Sequence, residues 1–494
     1  MSGFMTRNEL AVWRRVRQYA VPPAMIEEAT AARLAGDWRA ACAAAGIVPD
    51  DDADFGPFRD ELPFLVPDLV RWHLPRTPSR GETTVDPRLL IILARDGNRL
   101  LGVATPRVGN STQRLRLVVT HPKNDRYHGE RDWSEARHLW DARETDRLVE
   151  RTCTPRTLEF LALQEAGRDF EAWALAGVQV PEIVFDPQHG WQERFVRRAF
   201  VGLDIDPAAV VAAARASGRA VSSISATFRD LLLHTVNGGP PRAEWVPAER
   251  NDGARMSLEP FRRPVDLHLV RRGLLAPTAL HPLIGPLLRP FAAPAVDQPA
   301  VHRAVRVRCG GDWHRLDWDG GRMRMPHGDE ERRREHALRA LGGELHGCFA
   351  AEVAWSSRSG RLPRRLEEQR RDLLLRLLHG DLAAVVARLD AGVDPHVRDR
   401  HGRSLLHLLP CVDWRPGWPA LLARLLDSGL DLEDRDATGR TPLHSAVHDD
   451  GSAALIQALL AAGANPHSRD HFGQSIQEDH ERLRDEPFFV VPPK

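Results

Sequence analysis

The last quarter of the chain repeats. Asp399-Arg400-His401-Gly402, Asp436-Ala437-Thr438-Gly439 and Asp470-His471-Phe472-Gly473 share the pattern D-x-x-G, at spacings of 37 and 34 residues. A second marker, Ala391-Gly392, Ser428-Gly429 and Ala462-Gly463, recurs at the same two spacings. Two markers in phase leave the segment few options. A unit of about 33 residues cannot bury its own apolar face and must stack on copies of itself, which predicts a helical solenoid.

Thr441-Pro442-Leu443-His444-Ser445-Ala446 identifies the solenoid type. The run has the T-P-L-H-x-A form of ankyrin repeats, and Ala462-Gly463-Ala464-Asn465-Pro466 resembles the turn that closes such a repeat. Each position has a physical reason. Thr441 caps the inner helix, and Pro442 takes the first helical position, where its missing N–H costs nothing. Leu443 enters the core between repeats, and the His444 ring bonds the capping region of its own or a neighbouring repeat. Gly402, Gly439 and Gly473 allow the positive φ of a hairpin turn, and Gly463 ends the outer helix. The resemblance divides residues 366–494 into repeats at about 367–399, 400–436 and 437–470, with a partial one at 471–494. The second is degenerate, carrying Ser404-Leu405-Leu406-His407, and the first lacks the run, as a capping repeat does. The whole chain resembles actinobacterial ankyrin-repeat domain-containing proteins. That likeness rests on the overall layout and on stretches such as Leu341–Trp355, and it transfers no activity.

The preceding residues predict an α+β multidomain chain: a mixed helical and β-meander N-terminal region followed by the C-terminal ankyrin-repeat α-solenoid. Residues 1–80 form a helical unit that opens on the capping box Thr6-Arg7-Asn8-Glu9. Residues 85–135 hold a β-meander of about three strands. Residues 136–300 are mainly helical and partly Pro/Gly-rich linker, with two helices expected in 205–236, the first entered through Asp206-Pro207. Residues 301–360 are a second meander plus a helix. There Val305, Val307 and Cys309 share a face, and Gly310-Gly311 and Gly320-Gly321 supply the turns.

Composition excludes several functions. Lys+Arg and Asp+Glu are both 68, so no global field favours nucleic acid. No apolar run is long enough to span a bilayer and residues 1–20 lack a signal-peptide core, so a cytoplasmic protein without membrane contact is expected. Cys42, Cys153, Cys309, Cys348 and Cys411 are odd in number and far apart, with no C-x-x-C. That predicts free thiols, and neither a disulfide framework nor a cysteine-based zinc site. No phosphate-binding glycine loop, H-E-x-x-H or G-x-S-x-G occurs. His444 and His448 are spaced for a metal but lack a third ligand, so no metal and no cofactor is expected. Asp312, Asp317 and Asp319 read as turn chemistry.

The function these features favour is protein–protein interaction or scaffolding by the array, with no identifiable catalysis. The expected partner is another protein, of acidic surface, or the chain's own N-terminal region. Arg398, Arg435 and Arg469 each precede a D-x-x-G aspartate and would form an arginine stripe suited to carboxylates. Trp414 and Trp418 lie on a proline-stiffened loop with hot-spot composition. The alternative is an enzyme or toxin-like effector in residues 1–365, with the repeats as its targeting arm. Its polar site would be His121, Asp125, Tyr127 and His128, which combine a base, an acid and hydroxyl chemistry after a strand.

Overall fold

The structure is a computed structural model that describes residues 5–76, 83–109, 111–122, 127, 129–180, 204–226, 229–235, 239–247, 254–294, 305–357, 360–476 and 478. It contains both helices and strands and divides into two compact units.

The first unit comprises residues 1–83, 89–104 and 116–296. It opens with helices α1 (Arg7–Tyr19), α2 (Pro23–Leu34) and α3 (Trp38–Ala44). The capping box forms as read: the Glu9 amide donates to Thr6 Oγ1 at 3.2 Å, and the Thr6 amide donates to Glu9 Oε2 at 2.7 Å. After β1 (Ile47–Pro49) and α4 (Pro67–His73) comes the meander β2 (Leu89–Asp96), β3 (Arg99–Ala104) and β4 (Leu115–Thr120). With β5 (Gly129–Asp132) these make a five-stranded sheet of order β1-β4-β3-β2-β5, in which β5 runs parallel to β2.

Helices α5 (Arg147–Thr152), α6 (Thr157–Glu165), α7 (Asp169–Leu175) and α8 (Pro207–Ala216) follow. Asp206 caps α8 by accepting from the Ala208 amide at 3.0 Å, as Asp-Pro predicts. The second helix expected before residue 236 is instead a hairpin, β6 (Val221–Ala226) and β7 (Arg229–His234). It is extended by β8 (Arg242–Pro247) and β9 (Ala254–Arg255) into a sheet of order β8-β7-β6-β9. A short apolar run such as Leu231-Leu232-Leu233 has no period to distinguish strand from helix, and burial on the sheet decides it. Helices α9 (Val265–Arg271) and α10 (Gly285–Leu288) complete the unit. A buried ion pair fixes its ends: Arg17 donates to both Asp266 oxygens at 2.6 and 2.9 Å and to the Trp72 carbonyl at 2.6 Å.

The second unit comprises residues 84–88, 105–115 and 297–494. Strands β10 (Val305–Cys309), β11 (Asp312–Asp319) and β12 (Arg322–Arg324) form an antiparallel meander. Both of its turns have two glycines at positive φ, Gly310-Gly311 and Gly320-Gly321, as a two-residue hairpin loop requires. Then come α11 (Asp329–Ala340), α12 (Gly347–Ser356), α13 (Arg364–Leu378), α14 (Leu382–Asp390), α15 (Trp418–Asp427), α16 (Pro442–His448) and α17 (Ala453–Ala461). One apolar core runs from Val305 through Trp355, Leu377, Leu406 and Leu443 to Ile476. The meander closes its early end. The Trp318 and Trp355 rings lie 4.3 Å apart, Trp355 Nε1 donates to the Asp394 carbonyl at 3.3 Å, and the Gly321 amide donates to the Gly392 carbonyl at 3.0 Å.

Candidate functional site

The three D-x-x-G segments are closed by one set of bonds. In each, the Asp amide donates to the carbonyl four residues on (Asp399 to Arg403, Asp436 to Arg440, Asp470 to Gln474), all at 3.0 Å. In each, the Gly amide returns to the Asp carbonyl, with φ of 79°, 82° and 76° at Gly402, Gly439 and Gly473. The Asp carboxylate accepts the amides two and four residues on: His401 and Arg403, Thr438 and Arg440, Phe472 and Gln474. Aspartate is needed because its short side chain alone satisfies two turn amides. Neighbouring hairpins are joined edge to edge, the Ala437 amide donating to the His401 carbonyl at 2.7 Å and the His471 amide to the Thr438 carbonyl at 2.9 Å.

The capping residues behave as their chemistry predicts. Thr441 Oγ1 lies 2.9 Å from His444 Nδ1, and the Thr441 amide donates to the same nitrogen at 3.2 Å. Pro442 and Leu443 are buried in the first turn of α16. Ser404-Leu405-Leu406-His407 keeps this arrangement: the Ser404 amide donates to His407 Nδ1 at 3.1 Å, so the proton sits on Nε2, which donates to the Arg440 carbonyl at 3.0 Å. Burial lowers the His407 pKa and keeps the ring neutral. What degenerates is the inner helix itself, which shortens to turns and a 3-10 segment, Leu409–Cys411. Gly463 has φ of 101° just after α17.

The arginine stripe is committed internally. Arg398 donates to the Gly402 carbonyl at 3.0 Å and to Asp434 at 2.6 Å. Arg435 donates to the Gly439 carbonyl at 2.8 Å and to the Arg469 carbonyl at 2.6 Å. Arg469 donates to the Gly473 carbonyl and reaches Glu478 at 3.3 Å. Each guanidinium thus ties its own hairpin and bonds the following segment. Trp414 is half-buried, donates to the Cys411 carbonyl at 2.9 Å, and lies so close over Gly380 that a Cβ there would meet its ring at 2.5 Å. Trp418 is half-buried at the start of α15, packed on the core. The large exposed apolar side chain among the described hairpin tips is Phe472, 74% accessible.

The alternative polar site is described only in part. His121 is exposed and bonds the Asn98 carbonyl at 2.8 Å, and Tyr127 packs half-buried against the Leu90, Ile92 and Val118 cluster. Asp125 and His128 lie outside the described residues. Among the buried titratable groups of the first unit, Asp68 pairs with His281 at 2.8 Å.

One arrangement escaped the sequence reading. Cys309, His314, His327 and Cys348 converge, with one donor atom of each within 4.8 Å of all the others. The cysteines are therefore not too far apart for a shared site: β10–β11 pairing and the N-terminus of α12 bring Cys309 and Cys348 together. All five cysteines are free thiols, and burial together with the neighbouring Cys309 sulfur pushes the Cys348 thiol up to about 12.

Residues 438–471 match the ankyrin-repeat family model, which covers one D-x-x-G hairpin remnant, the T-P-L-H helix and the outer helix that follows. No curated protein matches the chain. The match identifies a protein-interaction module in the C-terminal region. Among the described residues no helix is long and apolar enough to cross a membrane.

Proposed function

We propose that residues 366–478 act as a short ankyrin solenoid that binds another protein through its row of hairpin tips. The observation that carries this reading is the edge-to-edge bonding of the three hairpins, which holds Arg400-His401, Ala437-Thr438 and His471-Phe472 on a common rigid edge. A row of short tips on a preorganised scaffold loses little entropy on binding. Arg398, Arg435 and Arg469 serve this surface as its bracing, and the charge they contribute to an acidic partner is secondary. The test places a photo-crosslinking residue at position 400 or 472 in the full chain, and in parallel at exposed position 462 after the outer helix. Cross-links to a discrete partner from the tips and not from 462 support the reading. Tips that cross-link no more than 462 sink it.

A second reading, that the array holds a segment of its own chain, rests on a different face. Residues 105–115 belong to the same unit as the array. Cys411 Sγ donates to the Ser111 carbonyl at 3.7 Å, Arg114 lies 3.6 Å from the buried Asp413 carboxylate, and it also donates to the Asp450 carbonyl. These contacts are made by the loops between helices and not by the hairpin tips, so the two readings are compatible. If the array clamps this segment, Arg114→Ala and Asp413→Asn each speed amide exchange across residues 105–115. Unchanged exchange refutes the clamp.

A further inference from the structure

We infer that Cys309, His314, His327 and Cys348 form a structural zinc site that fastens the β10–β12 meander to the N-terminus of α12. Three independent features of the geometry support it.

The first is the shape of the donor set. With Zn–S bonds of about 2.3 Å and Zn–N bonds of about 2.05 Å, a tetrahedral site has sulfur–nitrogen edges of about 3.6 Å and a nitrogen–nitrogen edge of about 3.3 Å. Cys309 Sγ lies 3.6 Å from His327 Nε2, and Cys348 Sγ lies 3.5 Å from His314 Nδ1. These two separations are opposite edges of one tetrahedron. One of the four edges that join them, His314 Nδ1 to His327 Nε2, is 3.0 Å, and every separation in the set is within 4.8 Å. Two thiolates and two neutral imidazoles would balance the charge of one divalent ion, and no fifth position remains, which makes the site structural.

The second is support around the ligands. His327 Nδ1 bonds Glu331 Oε2 at 3.1 Å, which places the proton on Nδ1 and aims the Nε2 lone pair at the cluster. A carboxylate behind a histidine is the common outer partner of a zinc ligand. The His327 side chain is only 7% exposed and packs on the Phe349 ring at 4.7 Å.

The third is the close approach of backbone. Gly347 has φ of +57°, and a Cβ there would stand 2.5 Å from Cys309 Sγ. Glycine at this position lets the first turn of α12 reach the end of β10. Cys348 then sits in that first turn, within reach of the end of β10. Register does the rest: Val307 pairs with His314, so Val307, Cys309 and His314 share the inward face of the hairpin.

The experiment is metal analysis of the full-length protein, loaded with Zn²⁺ in reductant and freed of loosely bound ion. The expected content is about one zinc per chain. It should fall to background in Cys348→Ser and in His327→Ala, and remain in Cys42→Ala, whose thiol lies in the other unit. His327→Cys keeps four donors and should retain zinc, which separates ligand loss from misfolding. Replacing the zinc by Co²⁺ should give the visible bands of a tetrahedral thiolate-bound ion, with stronger sulfur-to-metal charge transfer in His327→Cys. A folded wild-type chain that takes up no zinc overturns the site. So does full retention in both Cys348→Ser and His327→Ala, or a Cys309–Cys348 disulfide in protein isolated with zinc supplied.

Discussion

Gly439→Ala separates the two reasons for a glycine in the hairpin. At φ of +82° any side chain pays the left-handed penalty, about 1–2 kcal/mol. Gly439 pays a second cost, because the added Cβ would meet His471 Cδ2 at 2.4 Å, Cγ at 2.7 Å and the backbone nitrogen at 2.7 Å. The ring can turn away, but the nitrogen is held by its bond to the Thr438 carbonyl at 2.9 Å. Giving way there breaks an inter-hairpin bond, worth about 0.5–1.5 kcal/mol. The combined loss is about 1.5–3.5 kcal/mol, or roughly 10- to 300-fold in the local opening equilibrium. Gly473 supplies the control: its φ is +76° and a Cβ there meets nothing within 4 Å among the described residues, so Gly473→Ala pays the backbone cost alone. Hydrogen exchange of peptides spanning residues 436–476 in the full chain reads both variants without assuming two-state unfolding. Equal effects of the two substitutions would refute the packing of one hairpin on the next.

His407→Ala removes the acceptor of the Ser404 amide and the donor to the Arg440 carbonyl, and should cost about 1–3 kcal/mol in the same exchange measurement. Asp169 has both carboxylate oxygens buried, and burial raises its pKa to about 6. The folded state therefore holds its proton more tightly than the unfolded chain does. Stability falls as pH rises from about 4 through about 6 and is level above, and Asp169→Asn should flatten that slope and stabilise the protein at pH 7 by about 1–3 kcal/mol. Urea titrations at stepped pH check the sign; a wild-type slope that survives in Asp169→Asn removes this group from the account. Burial pushes the Cys42 thiol up to about 12 and Cys153 up to about 11, and raises Cys411 as well. All three should alkylate slowly at pH 8 in the native protein and rapidly in denaturant. Arg398→Ala, Arg435→Ala and Arg469→Ala together should speed exchange at the three hairpins, whereas Phe472→Asp, at an exposed tip, should not.

The repeat was legible because its determinants are local. An Asp that accepts amides two and four residues on, a Gly at positive φ, and a Thr or Ser that meets a His three residues on all act within one turn of chain. A single sequence therefore carries them even where Ser404-Leu405-Leu406-His407 has lost its proline. The same locality explains the capping boxes and the two glycine hairpins. It also explains the miss at residues 221–234, where Leu231-Leu232-Leu233 carries no period and only pairing with Val221–Ala226 decides the element. The contacts of the three arginines were hidden for a related reason. Position alone put three cations in a column, but each bonds a carbonyl of its own hairpin, and their further partners are the Asp434 carboxylate, the Arg469 carbonyl and the Glu478 carboxylate, which spacing does not reveal.

The four converging donors mark where linear reading stops. Their separations along the chain, four, twelve and twenty intervening residues, match no compact ligand pattern, and each residue alone is better explained as strand, turn or helix. What joins them is pairing register, the Met325 carbonyl accepting the His327 amide at 2.8 Å, and the absence of a side chain at Gly347. These are tertiary facts with a shared consequence. β10, β11 and α12 donate Val305, Val307, Leu316, Phe349 and Trp355 to the core that continues into the repeats. The three-stranded sheet and α12 close this core at its early end, where an array of few repeats would need a cap. With the proposed tetrahedral fastening at the junction of sheet and helix, removal of the ion should loosen Gly321 from Gly392 and residues 367–399 before it disturbs the hairpins at 436–476.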